Sequence, residues 1–237
     1  MLNRSYTPGV EVFVIVEGQT EEAFIKRVVA PALTHLCIYI KPIVLSTSRD
    51  SAGGAVSWDR FKLNVKNLAK QHPEAVLTTF LDLYGLDTAF PGFDEARSIA
   101  DPILRSRALQ KHIQATIAAA DLCPAQRFAP HIQPYEFEAL LFADVQAMTS
   151  IEPGWTSAQK TLAEVRADFD SPEHINGNFS TKPSKRLEAA LNPRYAKTRH
   201  GPIAAQKISL EVMERECEHF RDWMKFLRSL ANTTAQV

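Results

Sequence analysis

The sequence predicts an α/β fold: a Rossmann-like parallel-sheet core with helices on both faces, followed by a helical, loop-rich C-terminal extension. Residues 11–16, EVFVIV, are continuously apolar from Val12, β-branched and aromatic, and too short for a helix, as expected of a central strand covered on both faces. Strand and helix patterns alternate over the first 90 residues, which argues for parallel pairing with right-handed crossovers. After Asp144 the chain turns polar and proline-punctuated, with short helices between loops. The boundary is accordingly placed between a core of residues 1–146 and an extension of residues 147–237, whose basic segment packs on the core.

From Thr20 the apolar positions Phe24, Ile25, Val28, Val29 and Leu33 recur at three and four, so a helix follows the first strand, bent or shortened by Pro31. Residues 37–45 read as a second strand near a sheet edge, because Pro42 has no N–H for a ladder. Residues 46–57, with Gly53 and Gly54, read as a loop, and Trp58, Phe61, Val65 and Leu68 as one face of a helix. Residues 75–81 form a third strand, closed off by Gly85, Pro91 and Gly92. A long helix over 94–121, an extended segment over 127–135 broken by Pro130 and Pro134, a helical FEALLFAD, and a last helix over 203–230 complete the expectation. The apolar Phe220, Trp223, Met224 and Phe226 of that last helix are expected to pack within the chain rather than on another subunit.

Composition narrows the class without naming a ligand. The 237 residues carry 27 Lys plus Arg against 27 Asp plus Glu, so any electrostatic footprint must be local. Cys37, Cys123 and Cys217 are odd in number and lack CxxC spacing, which suggests neither a disulfide framework nor a zinc site. The first residues show no leader pattern and no run is long enough to span a membrane, so the expected location is the cytoplasm.

In open α/β sheets ligands sit where parallel strands end. Glu17 ends the first strand and Asp82 the third, and strands about 4.8 Å apart would let both reach one cation. Gly18 would let the backbone turn tightly beside an ion or phosphate, and Glu21, one helical turn on, would return to the same point. Glu136 and Glu138 share a face only if their segment is extended, since two residues on a helix diverge by about 200°. Hard oxygen donors favour Mg²⁺ or Mn²⁺ over Zn²⁺. Lys182, Lys185, Arg186, Arg194, Lys197, Arg199 and Lys207 stand against Glu188 alone, a plausible phosphate-contacting surface. Each signal has a bland alternative: Glu17 as a helix-start acid, Asp82 as a turn brace, Glu136 and Glu138 as solvated acids, the bases as ordinary surface. VEGQTEE is no Walker loop, HExxH is absent, Ser184 beside Lys185 lacks SxxK spacing, and His131 reads as packed or surface.

VIVEGQTEE followed by TTFLDLYGL resembles the toprim domain, the metal-binding fold of topoisomerases, bacterial primases and nucleases of the overcoming-lysogenisation-defect (OLD) type. The ordered series EGQTEE, TTFLDLYGLDTAFPG, HIQPYEFEALLF, PEHIN, KPSKRL and CEHFRDWMKFL resembles the bacterial toprim-like family filed as domain of unknown function 4276, over about residues 12–230. The resemblance implies a toprim-like core in which Glu17 is the toprim glutamate, Glu21 the second acid of OLD-type sites and Asp82 the first acid of Asp-x-Asp. Tyr84 stands where that pattern has its second Asp, so a second ion would need Asp87, Glu136 or Glu138. Lys185 is similar in type and order to the late lysine aimed at the scissile phosphate. The implied activity is Mg²⁺-dependent (or Mn²⁺-dependent) cleavage of nucleic acid, DNA ahead of RNA, by a water activated at the metal. Glu17, Asp82 and Lys185 would be catalytic, with Lys182, Lys185, Arg186, Arg194, Lys197 and Arg199 on the nucleic acid. The implied setting is an anti-phage module with an ABC- or AAA-type ATPase partner, since the chain has no P-loop of its own. Two alternatives stay open: a non-catalytic module binding nucleic acid or the ATPase, and nucleotidyl transfer as in primases.

Overall fold

The computed structural model describes residues 9–45, 55–176 and 180–231. The strand of residues 11–16 is observed as β1 (Val10–Val16), and the chain turns directly into α1 (Gln19–Phe24). The helix expected from Thr20 continues through a π-helical turn (Ile25–Val29) into α2 (Ala30–Leu33). Pro31 has no N–H to donate, and just ahead of it the turn widens so that Ala30 donates to the Ile25 carbonyl. β2 (Ile38–Val44) is parallel to β1, with Pro42 opposite Val14. It lies at the sheet edge, where a residue without an N–H is tolerated. Residues 46–54 of the expected loop lie outside the described residues.

α3 (Trp58–Gln71) leads to β3 (Val76–Asp82), which pairs parallel with the other side of β1, Val12 opposite Val76 and Val16 opposite Phe80. The single helix expected over 94–121 is two, α4 (Phe93–Arg97) and α5 (Pro102–Ala119). Asp101 starts the second: its carboxylate accepts from the Leu104 N–H at 2.8 Å with Pro102 in the first helical position. The extended segment of 127–135 is observed as two short strands, β4 (Phe128–Ala129) and β5 (Ile132–Gln133), separated by Pro130. Both run parallel to β3, and the sheet order is β2-β1-β3-β4.

FEALLFAD is helical but 3₁₀ (Phe137–Asp144), buried on every side from Phe137 to Phe142. Then come α6 (Val145–Thr149), α7 (Gln159–Ala167) and α8 (Pro183–Ala190). The continuous helix expected over 203–230 is instead α9 (Lys197–Ile208), α10 (Leu210–Glu216) and α11 (Glu218–Ser229). Ser209 breaks it with a positive φ of 77° and caps α10, and Cys217 in extended backbone breaks it again. A distant carboxylate supports the start of α11: Glu173, fully buried, accepts from the N–H groups of His219 at 2.8 Å and Phe220 at 3.0 Å. Burial outweighs those donors and pushes Glu173 up to about 7.

The pleat of β1 divides the core. Val12, Val14 and Val16 face an apolar cluster with Phe24, Leu140, Trp155, Ala204 and Phe220, whereas Phe13 and Ile15 face a second with Phe61, Val65, Leu109 and Ile113. Helices therefore cover both faces, and the residues after Asp144 join those of 24–33 and 137–142 in one of the two layers. Phe220, Trp223 and Met224 are buried in the first cluster, and the Trp223 indole N–H donates to Thr78 Oγ1 of β3 at 3.0 Å. Phe24 centres this layer, its ring 5.0 Å from Phe137, 5.5 Å from Phe80 and 6.0 Å from Phe220. Phe24→Leu is expected to cost about 1–2 kcal/mol in denaturant unfolding, because ring contacts are lost while most volume is kept.

Candidate metal centre

Glu17 is carried by the backbone where β1 ends, and Asp82 where β3 ends beside it. Gly85 lies against the Glu17 carboxylate so closely that a Cβ there would overlap it. The Asp82 Oδ1 accepts from the Phe137 N–H at 2.8 Å, which anchors the segment carrying the other two acids. Glu136 stays extended (φ −157°, ψ 161°) at the head of the 3₁₀ helix, and this departure from α geometry brings Glu136 and Glu138 to one side. Asp82, Glu136 and Glu138 each offer one carboxylate oxygen, and these oxygens all lie within 4.8 Å of one another.

Glu21 has a local task as well. Its Oε2 accepts from the Gly18 N–H at 3.0 Å, a capping-box arrangement at the start of α1. The helix-start role considered for Glu17 therefore belongs to Glu21. Gly18 is extended (φ −152°), a conformation open to any residue, so the tight turn expected of it is not what this glycine supplies. The Glu17 Oε2, by contrast, is buried with no hydrogen-bond partner among the described residues.

Two lysines face these acids. Lys182 Nζ lies 3.0 Å from Glu136 Oε2, and Lys197 Nζ lies 3.0 Å from Glu138 Oε2 and 3.8 Å from Glu136 Oε2. The Ser184 N–H in the first turn of α8 donates to Glu136 Oε1, and Tyr195 OH donates to Glu138 Oε1 at 3.3 Å. Burial, then the charge of Glu21, push Glu17 from its ordinary 4.5 to about 7 against the pull of Lys197 and Lys182. Burial also carries Glu138 to about 7, although Lys197 draws it down. Asp82 is held well above the usual carboxylate range by burial and then by Glu21 and Glu17, and burial raises Glu21 as well. Burial works to lower the Lys197 ammonium, but Glu138, Glu136 and Asp82 overcome it and hold it above its ordinary value. Five carboxylates thus face two ammonium groups, and that imbalance adds to burial in raising the acids.

Glu17, Glu21, Asp82, Glu136 and Glu138 meet as one electrostatic unit, as do Lys182 and Lys197 with them. Lys185 does not reach it: its ammonium pairs with Glu188 at 2.8 Å, and Arg194 takes the same oxygen at 2.6 Å. Arg199 pairs with Glu152 at 3.5 Å, and Arg186 donates to the Thr181 carbonyl and lies over the Phe169 ring. Within the basic segment, Lys182, Lys197 and Arg199 are matched by acids distant in sequence, and Lys185 and Arg194 by Glu188 inside it. Asp87 braces its own loop through the Ala89 and Trp58 N–H groups. Tyr195 and the placement of Lys197 on the acids were not expected. RYAKT carries no motif; Lys197 is the first residue of α9, which packs on α1, and Tyr195 lies just before it.

The donors fit a hard divalent cation: oxygen only, close together, with an unpartnered buried oxygen beside them. A pH signature follows. Glu17 and Glu138 ionise near 4.5 in the unfolded chain but near 7 in the folded one, so their contribution to stability falls as pH rises through that window. His131 and His219, buried and held below their ordinary 6.5, act in the opposite sense. The diagnostic quantity is the stabilisation added by saturating Mg²⁺, which is expected to grow as pH rises to about 7 and then level off. Denaturant unfolding with Mg²⁺ and with chelator checks it. An increment that shrinks with rising pH would contradict the account.

A separate cleft of about 170 Å³, bordered by Arg107, Gln110, His131, His219 and Asp222, holds none of these carboxylates. The two imidazoles stack at 4.7 Å there, and His131, 2% exposed with its Nε2 at 3.3 Å from the Gln133 side-chain oxygen, is a packed residue. Among the described residues no helix is long and apolar enough to cross a membrane. No curated protein and no solved structure matches the chain. The family model described as domain of unknown function (DUF4276) matches residues 16–228, a span that contains every carboxylate of the cluster, and the chain belongs to that family.

Proposed function

We propose that the protein is a toprim-type, Mg²⁺- or Mn²⁺-dependent nuclease that hydrolyses phosphodiester bonds, DNA ahead of RNA. The observation that carries this reading is the convergence of Asp82, Glu136 and Glu138 oxygens within 4.8 Å at the carboxyl end of the sheet, beside the unpartnered Glu17 oxygen. Asp82, Glu136, Glu138 and Glu17 would hold the metal, with Glu21 completing the set and fixing the start of α1. Bound there, a divalent ion supplies charge neutralisation at the phosphate and lowers the pKa of water. Lys197 and Lys182 reach the same point on flexible stems and would bear on the phosphate, in the role expected of Lys185.

The setting proposed is cytoplasmic, as the effector of an anti-phage module working with an ABC- or AAA-type ATPase, which rests on the resemblance to OLD-type nucleases alone. The second reading, a binding module without catalysis, draws support from Tyr84 in place of a carboxylate and from the pairing of Lys185, Arg194 and Arg199 with acids. Incubation of the protein with plasmid, linear duplex DNA, single-stranded DNA and RNA under Mg²⁺, Mn²⁺ or chelator separates the two. Metal-dependent cleavage is expected. Failure to cut any of them, with or without the ATPase, would favour the binding module.

A further inference from the structure

We propose that Tyr84 and Tyr135 form a stacking platform for an unpaired base beside the carboxylate cluster, so that the substrate is single-stranded nucleic acid. The proposal rests on the nuclease reading above and adds the substrate class to it. Tyr84 follows Asp82 by two residues and Tyr135 immediately precedes Glu136, so the two rings are carried by the same backbone that carries the acids. Their strands are tied at this level, the Tyr84 N–H donating to the Tyr135 carbonyl at 3.1 Å. The ring centroids lie 5.3 Å apart and tilted by 42°.

Tyr84 is 43% exposed, unusual for an aromatic residue at the end of a central strand. Its hydroxyl is held by the Asn176 side-chain amide, which fixes the ring while leaving it open to solvent. Tyr135 sits at φ 58°, in the left-handed region that a bulky side chain rarely adopts, a strained conformation of the kind retained at working sites. Lys182 joins platform to acids: its ammonium is 6.0 Å from the Tyr84 ring centroid and 3.0 Å from Glu136 Oε2. A cavity of about 90 Å³ opens beside Tyr84 between Leu83, Phe93 and Leu109, with Arg97 and Arg105 at its wall. An aromatic ring and the cations beside it, next to a site proposed to act on phosphate, are the parts by which proteins hold single strands. In a duplex both faces of each base are already stacked and cannot reach such a ring without flipping.

The test uses short single-stranded DNA and RNA oligonucleotides carrying 2-aminopurine, their duplexes, and strands with one abasic position, in chelator and in Mg²⁺, with cleavage followed separately. Single strands are expected to bind with altered 2-aminopurine fluorescence, and Tyr84→Ala to weaken that binding by about tenfold or more while Tyr84→Phe retains it. An abasic site at the position whose fluorescence changes is expected to reproduce the loss. Circular dichroism of both variants checks the fold. Tyr84→Ala protein that binds single strands as tightly as the unaltered protein would overturn the proposal, as would duplexes bound as well as single strands. Tyr84-dependent binding without cleavage would uphold the platform and remove the nuclease reading. Cleavage indifferent to Tyr84 would do the reverse.

Discussion

Glu17→Gln is expected to abolish metal-dependent cleavage while making the ion-free protein more stable. The two effects share one cause. The Glu17 carboxylate is pushed up to about 7 by burial and by Glu21, and its Oε2 has no donor among the described residues, so above neutrality its charge is a liability to folding. The glutamine keeps the shape against Gly85 and removes the charge. A gain of about 1–3 kcal/mol in chelator at pH 8 is expected, discounted for a side chain that solvent partly reaches. Cleavage should fall by about a thousandfold or more, since losing a ligand costs more than the 10–100-fold that follows loss of an outer partner. Stability raised and activity lost together is the mark of an acid kept for function. Glu17→Gln protein that is destabilised and still active would make Glu17 a structural residue.

Lys197→Met is the second. Lys197 opposes Glu138 and Glu136 at 3.0 and 3.8 Å, and its positive charge lowers every raised acid in the cluster. The methionine keeps most of the stem and removes the ammonium. The side chain is 41% exposed, which screens the pair, so the expected loss of stability is about 1–3 kcal/mol rather than the full cost of a buried unpaired acid. Saturating Mg²⁺ should restore most of it, because the ion supplies the missing charge. Cleavage should drop by about 10²–10³-fold even with metal bound, as when one group that stabilises transition-state charge is removed. Lys185→Met, by contrast, breaks an exposed pair with Glu188 and should alter cleavage little. The reverse order of sensitivity would return the phosphate-facing role to Lys185.

The parallel core was legible because burial on both faces leaves an apolar run in β1, β2 carries the edge variant with Pro42, and β3 is apolar up to Asp82 apart from Thr78 and Thr79, whose hydroxyls donate to the Ala129 and His131 carbonyls. The helix boundaries were less so. Asp101-Pro102 is a start signal inside a stretch that otherwise reads as one helix, and Ser209 breaks the last helix through a backbone angle that no residue pattern announced. Glu17 and Asp82 were legible because they fall where apolar strand patterns end, the place where open parallel sheets take ligands. Their cations were not, because nearness in sequence to other bases says nothing about which lysine faces inward. Lys185 and Lys197 look alike in the sequence, and only the docking of α9 against α1 separates them.

Crystals of the protein grown or soaked with Mn²⁺ test the central claim most directly, through anomalous scattering. An ion is expected at about 2.0–2.6 Å from carboxylate oxygens of Asp82 and of Glu136 or Glu138, with Glu17 turned onto it and the Lys197 ammonium displaced from Glu138. Full exposure to Mn²⁺ with no ion at these carboxylates, and Lys197 still on Glu138, would contradict it.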